Sequence, residues 1–138
     1  MELVYYSDND YQGLKELLEE AELFVDYLDK REILNRKTEH DPESIIIAKE
    51  DDEIVGSIFF VYDPWMSSIF RLCVRPEYRS QGIGSALMDK AEEILKDRGV
   101  ETVGIYVEKD NESIEFYSCR GYDPFGDYGA MEKRLITE

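Results

Sequence analysis

The sequence predicts an α/β chain of the α+β kind, a mixed sheet flanked by helices. Short β-branched and aromatic runs, such as Ile45 to Ala48 and Ile58 to Tyr62, read as strands. Other stretches carry apolar residues at helical spacing, most clearly Ile83, Leu87, Ala91, Ile94 and Leu95 on one face. The two kinds of segment interleave along 138 residues, so residues 1–138 are read as one domain.

Taken in order, Glu2 to Tyr6 is a first short strand. Asp8 or Asp10 can cap a helix whose apolar face is Leu14, Leu17, Leu18 and Ala21. A second, charge-rich helix is expected from Val25 to Lys37, and Asp41-Pro42 marks a turn, with His40 in a surface loop. Ser44 to Lys49 and Ile54 to Tyr62 flank the polar turn Glu50 to Glu53, which is a hairpin pattern. Asp63-Pro64-Trp65 breaks the second arm. Ser68 to Val74 is a third long strand, ended by Arg75-Pro76 because proline removes a ladder donor. Gly82 to Arg98 is helical, Glu92 can pair with Lys96, and Gly99 stops it. Val100 to Val107 is a strand. Asp110 and Asn111 can cap a short helix through Cys119 that Gly121 ends, and Tyr128 to Ile136 is a last strand. The order is β-α-α-β-β-β-α-β-α-β.

Composition excludes several function classes. Ten Tyr, six Phe and a hydrophobic share of 43% support a packed core rather than a disordered tail. The apolar runs are too short to cross a bilayer, and Met1-Glu2-Leu3-Val4-Tyr5 lacks the features of a signal peptide, so the cytoplasm is the expected location. Two cysteines, Cys73 and Cys119, form no CxxC and no disulfide framework, and one histidine leaves little for a zinc site or a Ser-His-Asp triad, so no metal is expected. A net charge of −16 argues against nucleic acid, which needs clustered Lys and Arg. The acids either solvate the surface or attract a cationic acceptor.

The chemistry concentrates in Leu72-Cys73-Val74-Arg75-Pro76-Glu77-Tyr78-Arg79-Ser80-Gln81-Gly82-Ile83-Gly84-Ser85. A strand delivers the chain to a turn, and two glycines open an amphipathic helix. Free N–H groups at a helix start, at the positive end of its dipole, make an anion site. Gly82 and Gly84 have no Cβ, so a diphosphate can approach the backbone. No Lys follows Gly84 until Lys90, which excludes a Walker loop, and Leu87 stands where a dinucleotide fingerprint needs a small residue.

Arg79-Ser80-Gln81-Gly82-Ile83-Gly84 resembles the acetyl-CoA loop of the GCN5-related N-acetyltransferase (GNAT) superfamily, Arg/Gln-x-x-Gly-x-Gly/Ala, at every fixed position. Downstream, Ser113-Ile114-Glu115-Phe116-Tyr117-Ser118-Cys119-Arg120-Gly121-Tyr122 resembles that family's second signature. The resemblance implies a GNAT-like, mainly antiparallel sheet and an acetyl-CoA-dependent transfer of acetyl to a primary amine. It puts coenzyme A against Arg79, Ser80, Gln81, Gly82, Ile83, Gly84 and Ser85, and a strand bulge with oxyanion donors at Leu72, Cys73 and Val74. It makes Tyr117 the general acid for the departing sulfur, a role open to a phenol of pKa near 10. Cys73 as an acylated nucleophile is a minor alternative, with no histidine beside it in sequence.

The family often has Asn seven residues before that Tyr. Here the position is Asp110, with Asn111 next to it, and either is a candidate contact to the cofactor. Some members carry a Glu base twelve residues before the Tyr, and here that position is Ile105, so the base is unassigned. Glu108 and Asp63 do not fit the pattern. The acceptor pocket is expected around Tyr27, Tyr62 and Trp65, and Arg75 with Arg79 forms a local positive patch. The expected partners are acetyl-CoA, an amine acceptor such as a polyamine or a basic peptide, and a second copy of the chain as a homodimer. No nucleic acid and no membrane are expected. The competing reading is a non-catalytic coenzyme A-binding regulatory module, and a third is a structural interaction protein.

Overall fold

The computed structural model describes residues 1–108 and 111–136. Among these, β1 (Glu2–Tyr5), β2 (Ile45–Glu50), β3 (Glu53–Val61), β4 (Ser67–Val74) and β5 (Val103–Ile105) lie in that order across one sheet. Neighbours are antiparallel as far as β4, and β4 and β5 are parallel. The helices are α1 (Tyr11–Glu20), α2 (Asp26–Asp29), α3 (Arg31–His40), α4 (Ile83–Asp97) and α5 (Ile114–Cys119). The mixed, mainly antiparallel sheet flanked by helices is therefore as the sequence predicts. No helix among the described residues is long and apolar enough to cross a membrane. The chain divides into two compact units, Met1–Tyr106 and Val107–Glu138.

In the first unit β3 is buried from Ile54 to Phe60, because helices cover both of its faces. Tyr11, Leu14, Leu17 and Leu18 of α1 join Leu34 of α3, Ile45 and Ile47 of β2, Ile54 and Phe59 in one core. The strand period of two turns Ile46 and Ala48 to the opposite face, where α4 buries Ile83, Leu87, Met88, Ala91, Ile94 and Leu95. This is the stripe that the helical spacing predicts. At the end of α4 the N–H of Gly99 (φ 89°) bonds to Lys96 and that of Val100 to Leu95. Arg98 reaches from there to Asp41 and Glu43, at 2.7 Å in each case.

Four expectations are corrected. The helix expected over Val25–Lys37 is two helices, broken at Lys30 (φ −70°, ψ 155°), and His40 is the last residue of α3 rather than a loop residue. Just before the break Asp29 turns its side chain inward, where it is 3% exposed and accepts a bond from the Val25 N–H at 2.8 Å. At the start of α1, Asp10 stands at the N-cap position, but its carboxylate takes the Ser7 N–H and Lys49 instead of a helix N–H. The fifth strand is only Val103–Ile105, because Val100 is committed to closing α4.

In the second unit, Asn111 accepts from the Ser113 N–H at 2.8 Å at the start of α5, and Gly121 (φ 94°) ends the helix. Asp110 lies outside the described residues. The last expected strand, Tyr128 to Ile136, is not formed over its described length. Its apolar residues Met131, Leu135 and Ile136 do not alternate, and each stays at least 75% exposed.

Gly56 on β3 sets how close α4 comes to the sheet. A Cβ there would stand 3.1 Å from the Cys73 carbonyl oxygen, 3.2 Å from Leu87 Cδ1 and 3.3 Å from Ile83 Cγ2. The carbonyl belongs to a hydrogen-bonded strand and cannot yield as a side chain can. Gly56→Ala is expected to cost about 1–3 kcal/mol by overpacking. Thermal unfolding of the two proteins measures this, and an unchanged midpoint would mean that α4 can move outward freely.

Candidate active site

The run Ser68-Ile69-Phe70-Arg71-Leu72-Cys73-Val74 pairs with β3 in two registers. Ser57 faces Cys73 and Phe59 faces Phe70, so Arg71 and Leu72 together oppose the single residue Ile58. That is a β-bulge. Arg71 takes φ 55°, the left-handed region that a non-glycine residue rarely enters. Sequence reasoning placed the bulge at Leu72, Cys73 and Val74. The structure makes it of Arg71 and Leu72, and Cys73 and Val74 continue the strand beyond it.

Three contacts hold Arg71. Its Nη2 and Nε donate to the Asp29 carboxylate at 3.0 and 3.3 Å, and Ser57 Oγ donates to its carbonyl oxygen at 2.8 Å. In a trans peptide the C=O of one residue and the N–H of the next point in opposite directions. With the Arg71 carbonyl aimed at Ser57 on β3, the Leu72 N–H points away from β3. Further along, the Arg75 N–H bonds back to Val55 and the Val74 carbonyl accepts from Arg79 Nε at 3.3 Å. The side of β4 away from β3 is paired with β5 only from Ser67 to Ile69. From Phe70 to Val74 that side has no strand partner among the described residues. The Phe70 and Tyr106 rings stack at 5.9 Å where the two strands part.

Cys73 is half-buried, and its thiol lies 3.5 Å from Ser57 Oγ. Burial raises its pKa, outweighing the hydrogen bond from Ser57 and the nearby arginines. The thiol is therefore a poor nucleophile at neutral pH.

After β4 a 3-10 turn over Pro76–Tyr78 leads into the glycine loop. Ser80 (φ 65°) and Gly82 (φ 83°) both turn left-handed, and Gly82 is the N-cap of α4. Ala86 makes the first bond of the helix, to the Gly82 carbonyl at 2.9 Å. The N–H groups of Ile83, Gly84 and Ser85 precede it and have no acceptor within the helix. Ile83 is buried and anchors this turn, while Gln81 and Gly82 are exposed. Nothing lies within 4 Å of a Cβ at Gly82, so the surface beside it is open and the glycine is required by its φ. The arrangement suits an anion: open space, backbone donors and the exposed Arg79 guanidinium.

The expected positive patch is smaller than the sequence suggests. Arg75 donates to the Ile54 carbonyl at 2.8 Å and pairs with Glu20 and Glu53, so only Arg79 faces solvent. The expected acceptor pocket is also corrected. Tyr27 lies on α2, the helix that carries Asp29, but Tyr62 and Trp65 lie before β4 begins. The eight residues of β4 separate them from the loop by roughly 25 Å of strand. Tyr62 packs under the Arg98 guanidinium at 5.0 Å, and Trp65 is 86% exposed beside a cavity lined by Asp63, Ser67 and Glu101.

Tyr117 belongs to the second unit. Its ring is half-buried on α5 between Phe116 and Tyr122, with centroids at 5.3 and 6.0 Å in edge-to-face geometry. Asn111 lies three residues before that helix, whose N-cap position is Ser113. Ser57 and Arg71 had no role in the sequence reading, which took Asp29 only as one of the acids that solvate the surface or attract a cationic acceptor. Their one trace there is a run of strand residues, 68 to 74, that fails to alternate and carries an arginine in its middle.

The comparisons with known proteins agree with this architecture. The family described as "Acetyltransferase (GNAT) family" matches residues 11–122. An acetyltransferase of Pectobacterium atrosepticum is 32% identical over 139 aligned positions, covering 100% of this chain and 98% of its own. An N-acetyltransferase of Yersinia pestis is also 32% identical with the same coverage. The crystal structure of the PaiA N-acetyltransferase of Thermoplasma acidophilum, in complex with coenzyme A, has a TM-score of 0.81 at 23% identity. It covers 93% of this chain and 92% of that one. Ard1 of Thermoplasma volcanium gives 0.79 at 21% identity, over 91% and 84% of the two chains. The chain belongs to the acetyltransferase (GNAT) family.

Proposed function

We propose that this acetyltransferase moves the acetyl group of acetyl-CoA to a primary amine by direct attack on the thioester, with Tyr117 as general acid. The observation that carries the reading is the sequence of features along β4 and α4. A bulged strand with an unpaired side is followed at once by a left-handed glycine turn that opens a helix. The loop at 79–85 takes the diphosphate of coenzyme A, which leaves the thioester beside the bulge. The relative from Thermoplasma acidophilum, whose structure contains coenzyme A, supports that choice of cosubstrate.

In the reaction the amine nitrogen forms a C–N bond to the acetyl carbon, and the carbonyl oxygen becomes an oxyanion. Backbone N–H groups at Leu72 to Val74 stabilise that charge as it develops. The C–S bond then breaks, and the sulfur takes the Tyr117 proton. The attacking amine is in its neutral form; the N–H proton it loses on becoming the amide passes to solvent, and the phenolate takes one proton back from solvent. Residues 1–138 are read as one catalytic domain in this scheme. The acceptor is a cation, such as a polyamine or a basic peptide amine, drawn by acids of the first helices.

Gly84→Asp puts a negative side chain at the start of α4. Coenzyme A affinity is expected to fall by about 3 kcal/mol, or roughly a hundredfold in Kd, from repulsion and a blocked donor. Isothermal titration with coenzyme A tests this, and an unaltered Kd in a folded variant removes the diphosphate from the loop. Tyr117→Phe keeps the ring and loses the proton, so kcat should fall about 10² to 10⁴-fold with little change in coenzyme A affinity. Normal turnover in that variant would leave Tyr117 as a packing residue only.

Direct attack also requires that no thiol carry the acyl group. At neutral pH the native protein is expected to give one fast thiol, the exposed Cys119, with Cys73 reacting more slowly. A disulfide-exchange dye counts them, and fast reaction of both would reopen the acyl-cysteine route. Steering of a cation weakens as the Debye length shrinks from roughly 10 Å at 0.1 M salt to about 3 Å at 1 M. With spermidine as acceptor, kcat/KM should drop steeply across that range while kcat holds. A flat profile, or preference for an anionic amine, would rule the steering out.

A further inference from the structure

We propose that Asp29, Arg71 and Ser57 form a positioning device that fixes the Arg71–Leu72 peptide, so that the Leu72 N–H faces the acyl group during transfer. The inference rests on the reading of β4 as the acyl site and adds the residues that hold it in shape. Arg71 stands at φ 55°, and a left-handed residue inside a strand tends to relax toward the extended region unless it is held. Two separate elements hold it. From α2, the Asp29 carboxylate takes two guanidinium bonds, at 3.0 and 3.3 Å. That carboxylate is itself fixed by the Val25 N–H at 2.8 Å, and Tyr11 Oη donates to the Asp29 carbonyl at 3.0 Å. From β3, Ser57 Oγ takes hold of the Arg71 carbonyl at 2.8 Å. The Ser57 bond fixes the direction of the peptide plane, and the Asp29 bonds fix the residue that starts the bulge.

Strand pairing alone does not set this orientation. Ladder bonds to β3 resume only at Cys73, and β5 has parted from β4 at Ile69. The Arg71–Leu72 peptide is a stretch of β4 that no ladder supports among the described residues. It is also the stretch whose N–H points to the open side. A donor for an oxyanion must be in place before the charge forms, because reorienting it during reaction removes the benefit. The three side chains supply that rigidity. None of them needs to touch substrate, so they are positioning residues.

The test uses the full chain with Asp29→Asn, Ser57→Ala, Arg71→Ala and Arg71→Gly. Coenzyme A binding is followed by calorimetry, turnover with acetyl-CoA and spermidine by thiol release, and the Leu72 and Cys73 amides by nitrogen–proton correlation spectra. For Asp29→Asn and Arg71→Ala we expect kcat to fall about a hundredfold, the loss typical of a displaced catalytic group. Coenzyme A Kd and the KM for acetyl-CoA should stay within about twofold, and the Leu72 amide should shift. Ser57→Ala should shift the same amide with a smaller loss of kcat. Arg71→Gly should recover part of kcat relative to Arg71→Ala, since glycine adopts φ 55° without a steric penalty. A residue needed only for stability would give the reverse order, because both variants lose the ion pair and glycine loosens the chain further. Full kcat in Arg71→Ala, no advantage of Gly over Ala, or parallel loss of kcat and coenzyme A affinity would overturn the proposal. If the wild type binds coenzyme A but turns over no amine, the catalytic reading fails on its own. The amide spectra then decide the positioning role, and an unshifted Leu72 amide in Asp29→Asn ends it.

Discussion

A non-glycine residue in the left-handed region costs about 1–2 kcal/mol, and this protein places one in the middle of its most important strand. The ion pair between Arg71 and Asp29 is what makes that conformation tenable. A buried carboxylate is itself expensive, since desolvation can exceed the Coulombic gain unless the remaining lone pairs are filled. At Asp29 they are: both oxygens meet the guanidinium, and one also takes the Val25 N–H. The pair joins residues 42 apart in sequence, so it ties α2 to β4. The break at Lys30 falls directly after Asp29, whose own N–H still makes the helical bond to the Val25 carbonyl at 2.8 Å.

The opening of α4 depends on a second constraint, the absence of a side chain at Gly56. Ile83 and Leu87 come close enough to β3 that a single Cβ would crowd them and the Cys73 carbonyl together. Ile83 is the first helical residue, so burying it pins the first turn to the sheet while Gln81 and Gly82 stay in solvent. A helix N-terminus tied down by its own apolar stripe holds its N–H groups in fixed positions. One that protruded freely would fray and bind an anion poorly. The bulge and the helix start are thus fixed relative to each other, since both refer to β3: Ser57 holds the former and Gly56 admits the latter.

Features determined by neighbouring residues were legible in the sequence. The stripe of α4, the hairpin of β2 and β3, the glycine at 82 and the short helix ended by Gly121 follow from local period and local backbone freedom. What was missed depends on partners distant in sequence. Nothing in the sequence marks Asp29 as a buried acid, because its burial is decided by Arg71. The length of β5 was overread because Val100 looks like a strand residue, and only the end of α4 reveals that its N–H is already committed. The strand expected at Tyr128 to Ile136 has only Tyr128 and Ile136 as aromatic and β-branched residues. Such content favours a pleated, half-buried surface, and without alternation or a partner it does not make a strand. For the candidate site, the glycine loop was legible and the position of the bulge was not. A bulge is one residue of excess between two strands, and counting it requires the pairing.

The same pairing changes how the charge of −16 bears on a cationic acceptor. The acids crowding the first helices and the hairpin are not equivalent. Glu20 and Glu53 neutralise Arg75, Asp29 neutralises Arg71, and Glu50 meets the N-terminal ammonium at 2.8 Å. A carboxylate locked to a cation adds almost nothing to the field a few ångströms away. The acids in these segments that carry no ion pair among the described residues include Glu19, Glu22 and Asp26, near the end of α1 and the start of α2, with Asp51 and Asp52 at the hairpin tip. The first three lie next to the helix whose Asp29 holds the bulge. A cation drawn to them would arrive beside the strand where the acyl group is proposed to sit. The ion pairs at Arg71 and Arg75 remove the two positive charges that would otherwise oppose its approach. The acidic composition therefore acts in two ways at this edge of the sheet, cancelling the arginines that shape the strand and leaving a smaller group of free acids beside it.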